Sequence, residues 1–151
     1  MKLIALWRTA DAWLTPKAQA LWLLCLRLYV AQVFFASGLT KLRDWSTTVF
    51  LFTEEYHVPV LSPAVAAVAG TTGEVVLPVL LVLGVFTRFG AAGLFILNAV
   101  AVISYPGLAE AALGQHFLWG VMLATLLCFG AGPLAGDALW RRLRGGAMSA
   151  R

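Results

Sequence analysis

An all-α integral membrane fold is predicted here: a four-helix transmembrane bundle with a short amino-terminal interfacial helix. Three observations predict it. The chain of 151 residues is 61% hydrophobic and only 12% charged. Four apolar stretches reach or approach the roughly 20 helical residues needed to cross a hydrocarbon core. The few charges gather between those stretches, with an excess of basic residues on alternate connections. Such a composition excludes an ordinary soluble domain, and the length suits one small membrane domain.

Residues 1–20 form the first element. Leu3, Leu6, Trp7, Ala10, Trp13 and Leu14 follow helical spacing, with Arg8 and Asp11 opposite. The pattern predicts a helix lying on the inner leaflet and ended by Thr15-Pro16. A cleaved signal peptide is the competing reading, but Leu21–Leu39 is too long for an h-region and lacks a small-residue cleavage site.

The transmembrane domain, residues 21–131, holds spans at Leu21–Leu39, Val60–Leu83, Phe89–Tyr105 and His116–Ala131. The long first connection, Thr40–Pro59, mixes apolar and acidic residues and suits a half-buried helical turn or two. Gly84–Arg88 is a tight hairpin, and Tyr105-Pro106-Gly107 is a turn signal. Residues 132–151 form a basic tail expected to be mobile.

Charge orients the spans. The amino-terminal segment, the tail and the second connection sum to +2, +3 and +1, counting Lys and Arg against Asp and Glu. The first and third connections are mildly negative. The positive-inside rule therefore places both termini in the cytoplasm. The formal +4 charge is a topology signal, and no nucleic-acid-binding surface is indicated. Trp22, Trp45, Trp119 and Trp140 fall near predicted span ends, where indoles collect at headgroup level.

Small residues permit close helix approach in lipid. Ala66, Gly70 and Glu74 make one stripe of the second span, and Ala69 and Gly73 a neighbouring one. Gly90, Leu94 and Asn98 share a face of the third, and Arg27, Ala31, Gly38 and Lys41 fall near one side of the first. The polar residues thus lie on the stripes suited to face inward.

Ionisable residues inside a span are costly and usually find a partner or a cavity. Arg27 and Glu74 are therefore expected to pair, with Asn98 beside them and Thr125 on the fourth span at comparable depth. Two readings stay open. The cluster fixes helix register, or it is a ligand-binding or proton-exchanging pocket suited to a quinone headgroup. Lys41 and Arg88 would flank it at opposite faces, although Lys41 can also simply snorkel to headgroups. Cys25 and Cys128 read as small apolar filler, not a redox pair. His57 and His116, with nearby acidic residues, are weak metal candidates because no ligand spacing supports them. No nucleophile motif, phosphate-binding glycine loop or dinucleotide fingerprint is present.

Arg27, Gly38-Leu39-Thr40-Lys41-Leu42, Pro59, Glu74 and Leu83-Gly84-Val85-Phe86-Thr87-Arg88 together resemble the DoxX family of small four-span bacterial membrane proteins. The likeness runs from about Leu26 to Trp140. Leu39–Trp45 and Ala101–Tyr105 look closest to a subgroup associated with biosynthesis of copper-binding peptides. The resemblance implies a bacterial cytoplasmic-membrane protein working with a protein partner. Relatives are associated with thiosulfate:quinone oxidoreductase, with oxidative-stress complexes, and with maturation or sorting of other proteins. The leading expectation is therefore a subunit of a redox or maturation complex rather than a complete enzyme. A non-catalytic scaffold or chaperone for a secreted or metal-handling partner is the alternative. A small-solute or ion pathway is the third.

Overall fold

The computed structural model describes residues 2–148, and within them the side chains of 11–141 and of 143. The apolar stripe proposed on Leu3, Leu6 and Trp7 and the basic side chains of Arg142, Arg144 and Arg151 lie outside what is described. Six helices follow one another: α1 Lys2–Arg43, α2 Trp45–Glu54, α3 Pro63–Leu83, α4 Thr87–Ser104, α5 Glu110–Phe129 and α6 Gly136–Met148. Among the described residues there is no strand. Four helices, α1, α3, α4 and α5, are long and apolar enough to cross a membrane.

These four close into a ring in which α1 packs on α3, α3 on α4, α4 on α5, and α5 back on α1. The core between them is aliphatic. Leu26, Val30, Ala31 and Phe34 from α1 meet Leu81, Ala91, Leu94, Leu123 and Leu126. The small-residue stripes do what close packing in lipid requires. A Cβ on Gly73 would stand 2.6 Å from Leu97 Cδ1, and one on Gly93 would stand 2.6 Å from Leu77 Cδ1. Large side chains of α3 and α4 thus fill notches in the facing helix.

Two ends of the bundle can be distinguished by residues. At the Arg27 end, α1 enters, α3 turns into α4, and α5 leaves toward α6. At the Lys41 end, α1 gives way to α2, and α4 turns into α5. Helix α2 packs on α3 there, with Phe52 buried against Ala66 and Ala67, and Tyr56 and Val58 alongside.

Several boundaries differ from the sequence reading. The expected stop at Thr15-Pro16 is absent, and α1 runs through Pro16 to Arg43. Proline denies the carbonyl four residues earlier its helical partner. That carbonyl belongs to Ala12, which is exposed. The tail expected to be mobile instead carries α6, with Ala138 buried and Leu139 and Trp140 exposed. Trp119 is not a headgroup-level residue. It packs on the core, edge to face with Phe34 at a centroid distance of 6.1 Å. Trp22, Trp45 and Trp140 are exposed; Trp45 opens α2, whereas Trp22 lies midway along the continuous α1. Cys25 and Cys128 are free and exposed.

Candidate functional site

The anticipated Arg27–Glu74–Asn98 cluster separates into three sites with different partners. Side chains on a helix lean toward its amino terminus. Arg27 therefore reaches back toward the end at which α1 enters, and Lys41 reaches back into the bundle. Helix direction alone pulls Arg27 away from Glu74 and carries Lys41 toward it.

Arg27 is 2% exposed. It donates from Nη1 to the Ala131 carbonyl at 3.1 Å and from Nη2 to the Leu134 carbonyl at 2.9 Å. Its Nε has no partner among the described residues. The guanidinium thereby satisfies two carbonyls of the segment between α5 and α6. Gly84 lies against the same guanidinium, and the Asp137 N–H donates to the Gly84 carbonyl at 3.0 Å. Arg27 clasps two turns at one end of the bundle, close to where sequence depth placed it but with backbone partners.

Glu74 pairs with Lys41 instead, Oε2 to Nζ at 2.5 Å. The two side chains are 14% and 21% exposed, so the pair is largely withdrawn from solvent and lipid. Lys41 Nζ also donates to Ser37 Oγ at 2.9 Å, one turn back on α1. Snorkelling outward, the simpler expectation for Lys41, is not what the side chain does. Close approach of α1 and α3 makes the pair possible. A Cβ on Gly38 would stand 3.1 Å from the Glu74 backbone carbonyl carbon and 2.8 Å from Val75 Cγ2. Pro78 lies four residues after Glu74 and offers no N–H to the Glu74 carbonyl. The backbone of α3 is therefore locally loosened where the charge pair sits.

Beside this pair lies a cleft of about 480 Å³ at the Lys41 end of the bundle. Ser37, Thr40, Lys41, Thr48, Phe52 and Tyr56 contribute to its wall. Its polar rim is held by Asp44, the N-cap of α2. The Asp44 carboxylate accepts from the Thr47 N–H at 3.0 Å, the Thr47 hydroxyl at 2.6 Å and the Ser46 hydroxyl at 2.8 Å. Those hydrogen bonds hold its pKa at about 2, against 3.8 for an ordinary aspartate. Thr48 donates its hydroxyl to the Lys41 and Asp44 carbonyls, tying α2 to the end of α1. Tyr56 stacks edge to face on both Phe52 and Tyr105. Burial first, and then the neighbouring Glu55, raises its pKa above the usual phenol value.

Asn98 is joined to His116. Its Nδ2 donates to the His116 carbonyl at 2.9 Å, and its Oδ1 lies 2.8 Å from His116 Nδ1. With Oδ1 as the acceptor, the imidazole proton sits on Nδ1. His116 also stacks edge to face on Trp119 at 4.9 Å, which links α4 and α5 to the core. Thr125 returns its hydroxyl to the Val121 carbonyl of its own helix and joins none of these groups. Arg88 donates to the Cys128 carbonyl at 3.1 Å at the Arg27 end. His57 lies in the loop after α2, where its N–H donates to the Ser104 carbonyl. Among the described residues, no three His, Cys, Asp or Glu side chains gather as a metal would require.

Ser37, Tyr56 and Pro78 were not singled out by the sequence reading. Two of the three had a legible signal: Ser37 precedes Lys41 by four residues, and Pro78 follows Glu74 by four. Tyr56 had none, because its place depends on how α2 folds back over α3.

A ring of four apolar spans with an internal ion pair defines a multi-pass, all-α membrane protein whose charged groups are held between helices. A family model for DoxX matches residues 22–107, which cover α1 from Trp22 through α4. The chain belongs to the DoxX family. Arg27, Lys41, Glu74, Arg88 and Asn98 lie inside the matched region, whereas His116 and Thr125 lie beyond it. No curated protein and no solved structure gives a significant match to the chain.

Proposed function

We propose that this DoxX-family protein is a membrane subunit of a redox or maturation complex, with Lys41 facing the ligand and Glu74 behind it. One observation carries the reading: an ion pair between two membrane-spanning helices, one member of which, Lys41, also lines an open cleft. Such pairs are expensive in a bilayer and mark binding or proton-transfer sites by default. The distribution of basic residues supports an Arg27 end in the cytoplasm and a Lys41 end outside, in a bacterial cytoplasmic membrane.

The donor set suits a quinone headgroup, whose carbonyl oxygens accept hydrogen bonds. A quinone carries two electrons and two protons when reduced. The Lys41 ammonium and the Ser37 and Tyr56 hydroxyls can hold a carbonyl oxygen in the cleft. Glu74, directly bonded to Lys41, can accept or return a proton behind it. Arg27 and Asn98 contribute by holding the helices in register.

Native purification in mild detergent, with mass spectrometry of co-eluting small molecules and proteins, tests this. Bound quinone that is lost in Glu74→Gln and Lys41→Met, in protein that still folds, supports the reading. Quinone binding unchanged in both variants overturns the site.

A second reading is a non-catalytic scaffold for another protein. Only 11% of the most apolar window of α5 is buried, against 28–33% in the other spans. Phe117, Leu118, Val121 and Leu127 are exposed along that helix. Such a face suits a partner helix as well as lipid. A stoichiometric protein partner purified without quinone would favour this second reading.

A further inference from the structure

At the Arg27 end a second cleft, of about 510 Å³, opens between the α3–α4 turn, the end of α5 and the start of α6. Its features are independent of the Lys41–Glu74 centre. Phe86 stands at the N-cap of α4 and gives no side-chain cap to the helix. The first-turn N–H groups of a helix have no partner within it and carry partial positive charge. Thr87, the next residue, lines the cleft and is 2% exposed, and its buried hydroxyl has no hydrogen-bond partner among the described residues. A buried hydroxyl left unbonded is costly, so its presence in a cleft wall points to an absent acceptor. Arg88 and Arg141 add two positive charges to the wall against the one carboxylate of Asp137.

The surroundings identify the source of that acceptor. Phe86, Phe89 and Phe129 line the same cleft and are exposed by 70%, 68% and 73%. Phe86 holds a φ of +49°, a region in which a bulky side chain is strained. Phenylalanine rings carry no polar atom, so three of them exposed beside a membrane span gain by packing on acyl chains rather than facing water. A freely diffusing anion would gain nothing from them. A lipid that brings its acyl chains with its phosphate would use both halves of the site.

We infer that this cleft binds the phosphate of an acidic phospholipid in the leaflet facing the Arg27 end. The α4 amino terminus and the Thr87 hydroxyl donate to the phosphate oxygens. Arg88 and Arg141 supply charge, and the phenylalanines pack on the acyl chains.

The test uses the full chain in detergent with phosphatidylglycerol and phosphatidylcholine of matched acyl chains. Lipid retained on the protein is read by native mass spectrometry. Phosphatidylglycerol should be retained preferentially, with about five-fold loss in Arg141→Gln, the value of one arginine near an anionic surface. Thr87→Val keeps the volume, removes the hydroxyl, and should lose about ten-fold or more. Arg141 is exposed, so Arg141→Gln should keep the wild-type Tm, and Thr87→Val, which removes an unpartnered buried hydroxyl at constant volume, should hold or raise it. Equal retention of the two lipids, or wild-type retention by both folded variants, overturns the inference. Displacement of phosphatidylglycerol by millimolar inorganic phosphate overturns the lipid assignment and makes this a free-phosphate site.

Discussion

The Arg27 guanidinium occupies the space that any side chain at position 84 would need. Nη1 lies 2.7 Å from where a Cβ of Gly84 would stand, and Gly84 itself has a φ of +67°. Absence of a side chain and left-handed backbone are required at the same residue, for different reasons. Gly84→Ala is therefore expected to destabilise the fold by about 1–3 kcal/mol, through strain and displacement of the arginine. Arg27→Leu should cost a similar amount, about 2–3 kcal/mol, by stranding the Ala131 and Leu134 carbonyls. Thermal unfolding in detergent measures both. A Gly84→Ala protein as stable as wild type would remove the proposed clasp.

The Lys41–Glu74 pair should show strong coupling. Removing one partner leaves the other charged and withdrawn from water, at a cost of about 3–5 kcal/mol if it stays ionised. Removing both restores neutrality. Lys41→Met and Glu74→Gln are expected to be individually destabilising and the double variant more stable than either. A double-mutant cycle on Tm or denaturant midpoint reads the coupling. Additive effects would mean that the two side chains act separately.

Glycines at the two crossings of α3 should differ in tolerance. A side chain at Gly38 meets the α3 backbone at Glu74, which cannot move aside, whereas one at Gly73 meets the flexible end of Leu97. Gly38→Val is expected to part α1 from α3, break the ion pair and cost more than about 2 kcal/mol, the upper range for overpacking. Gly73→Ala should cost less than half as much. Thermal unfolding of the two variants, with crosslinking between cysteines introduced on α1 and α3, distinguishes them.

Asp44 makes the start of α2 sensitive to acid. Its pKa is lowered on folding, from 3.8 to about 2. Its stabilising contribution is thus fully present above about pH 4 and lost as pH falls through about 2. Exchange protection in α2, taken relative to the intrinsic amide rate at each pH, should fall over that window in the wild type. Asp44→Ala should raise exchange at neutral pH and abolish the dependence. Proton linkage requires the transition to fall between the unfolded and folded pKa values, so a flat wild-type profile from about pH 4 to about pH 2 would count against the cap.

Hydropathy, charge bias and small-residue spacing were sufficient to read four membrane helices, the stripes through Gly38, Gly73 and Glu74, and the withdrawal of Arg27, Glu74 and Asn98 from the surface, but not the burial of Thr48, Thr71, Thr87 and Ser104. These properties are local: a span needs apolar length, and a close crossing needs residues without bulk. Pairing among the polar residues was not legible. Arg27 and Glu74 are complementary in charge, but α1 and α3 run antiparallel and Gly38, not Arg27, lies against Glu74. The carbonyls of Ala131 and Leu134 that receive Arg27 have no signature in side-chain sequence. Lys41 looked like a residue for headgroups until the lean of helical side chains and the Gly38 contact turned it inward. Sequence by itself determined which groups must be neutralised inside the membrane. Tertiary structure alone decided by which partner, because partners follow from helix direction and register, which one-dimensional spacing does not contain.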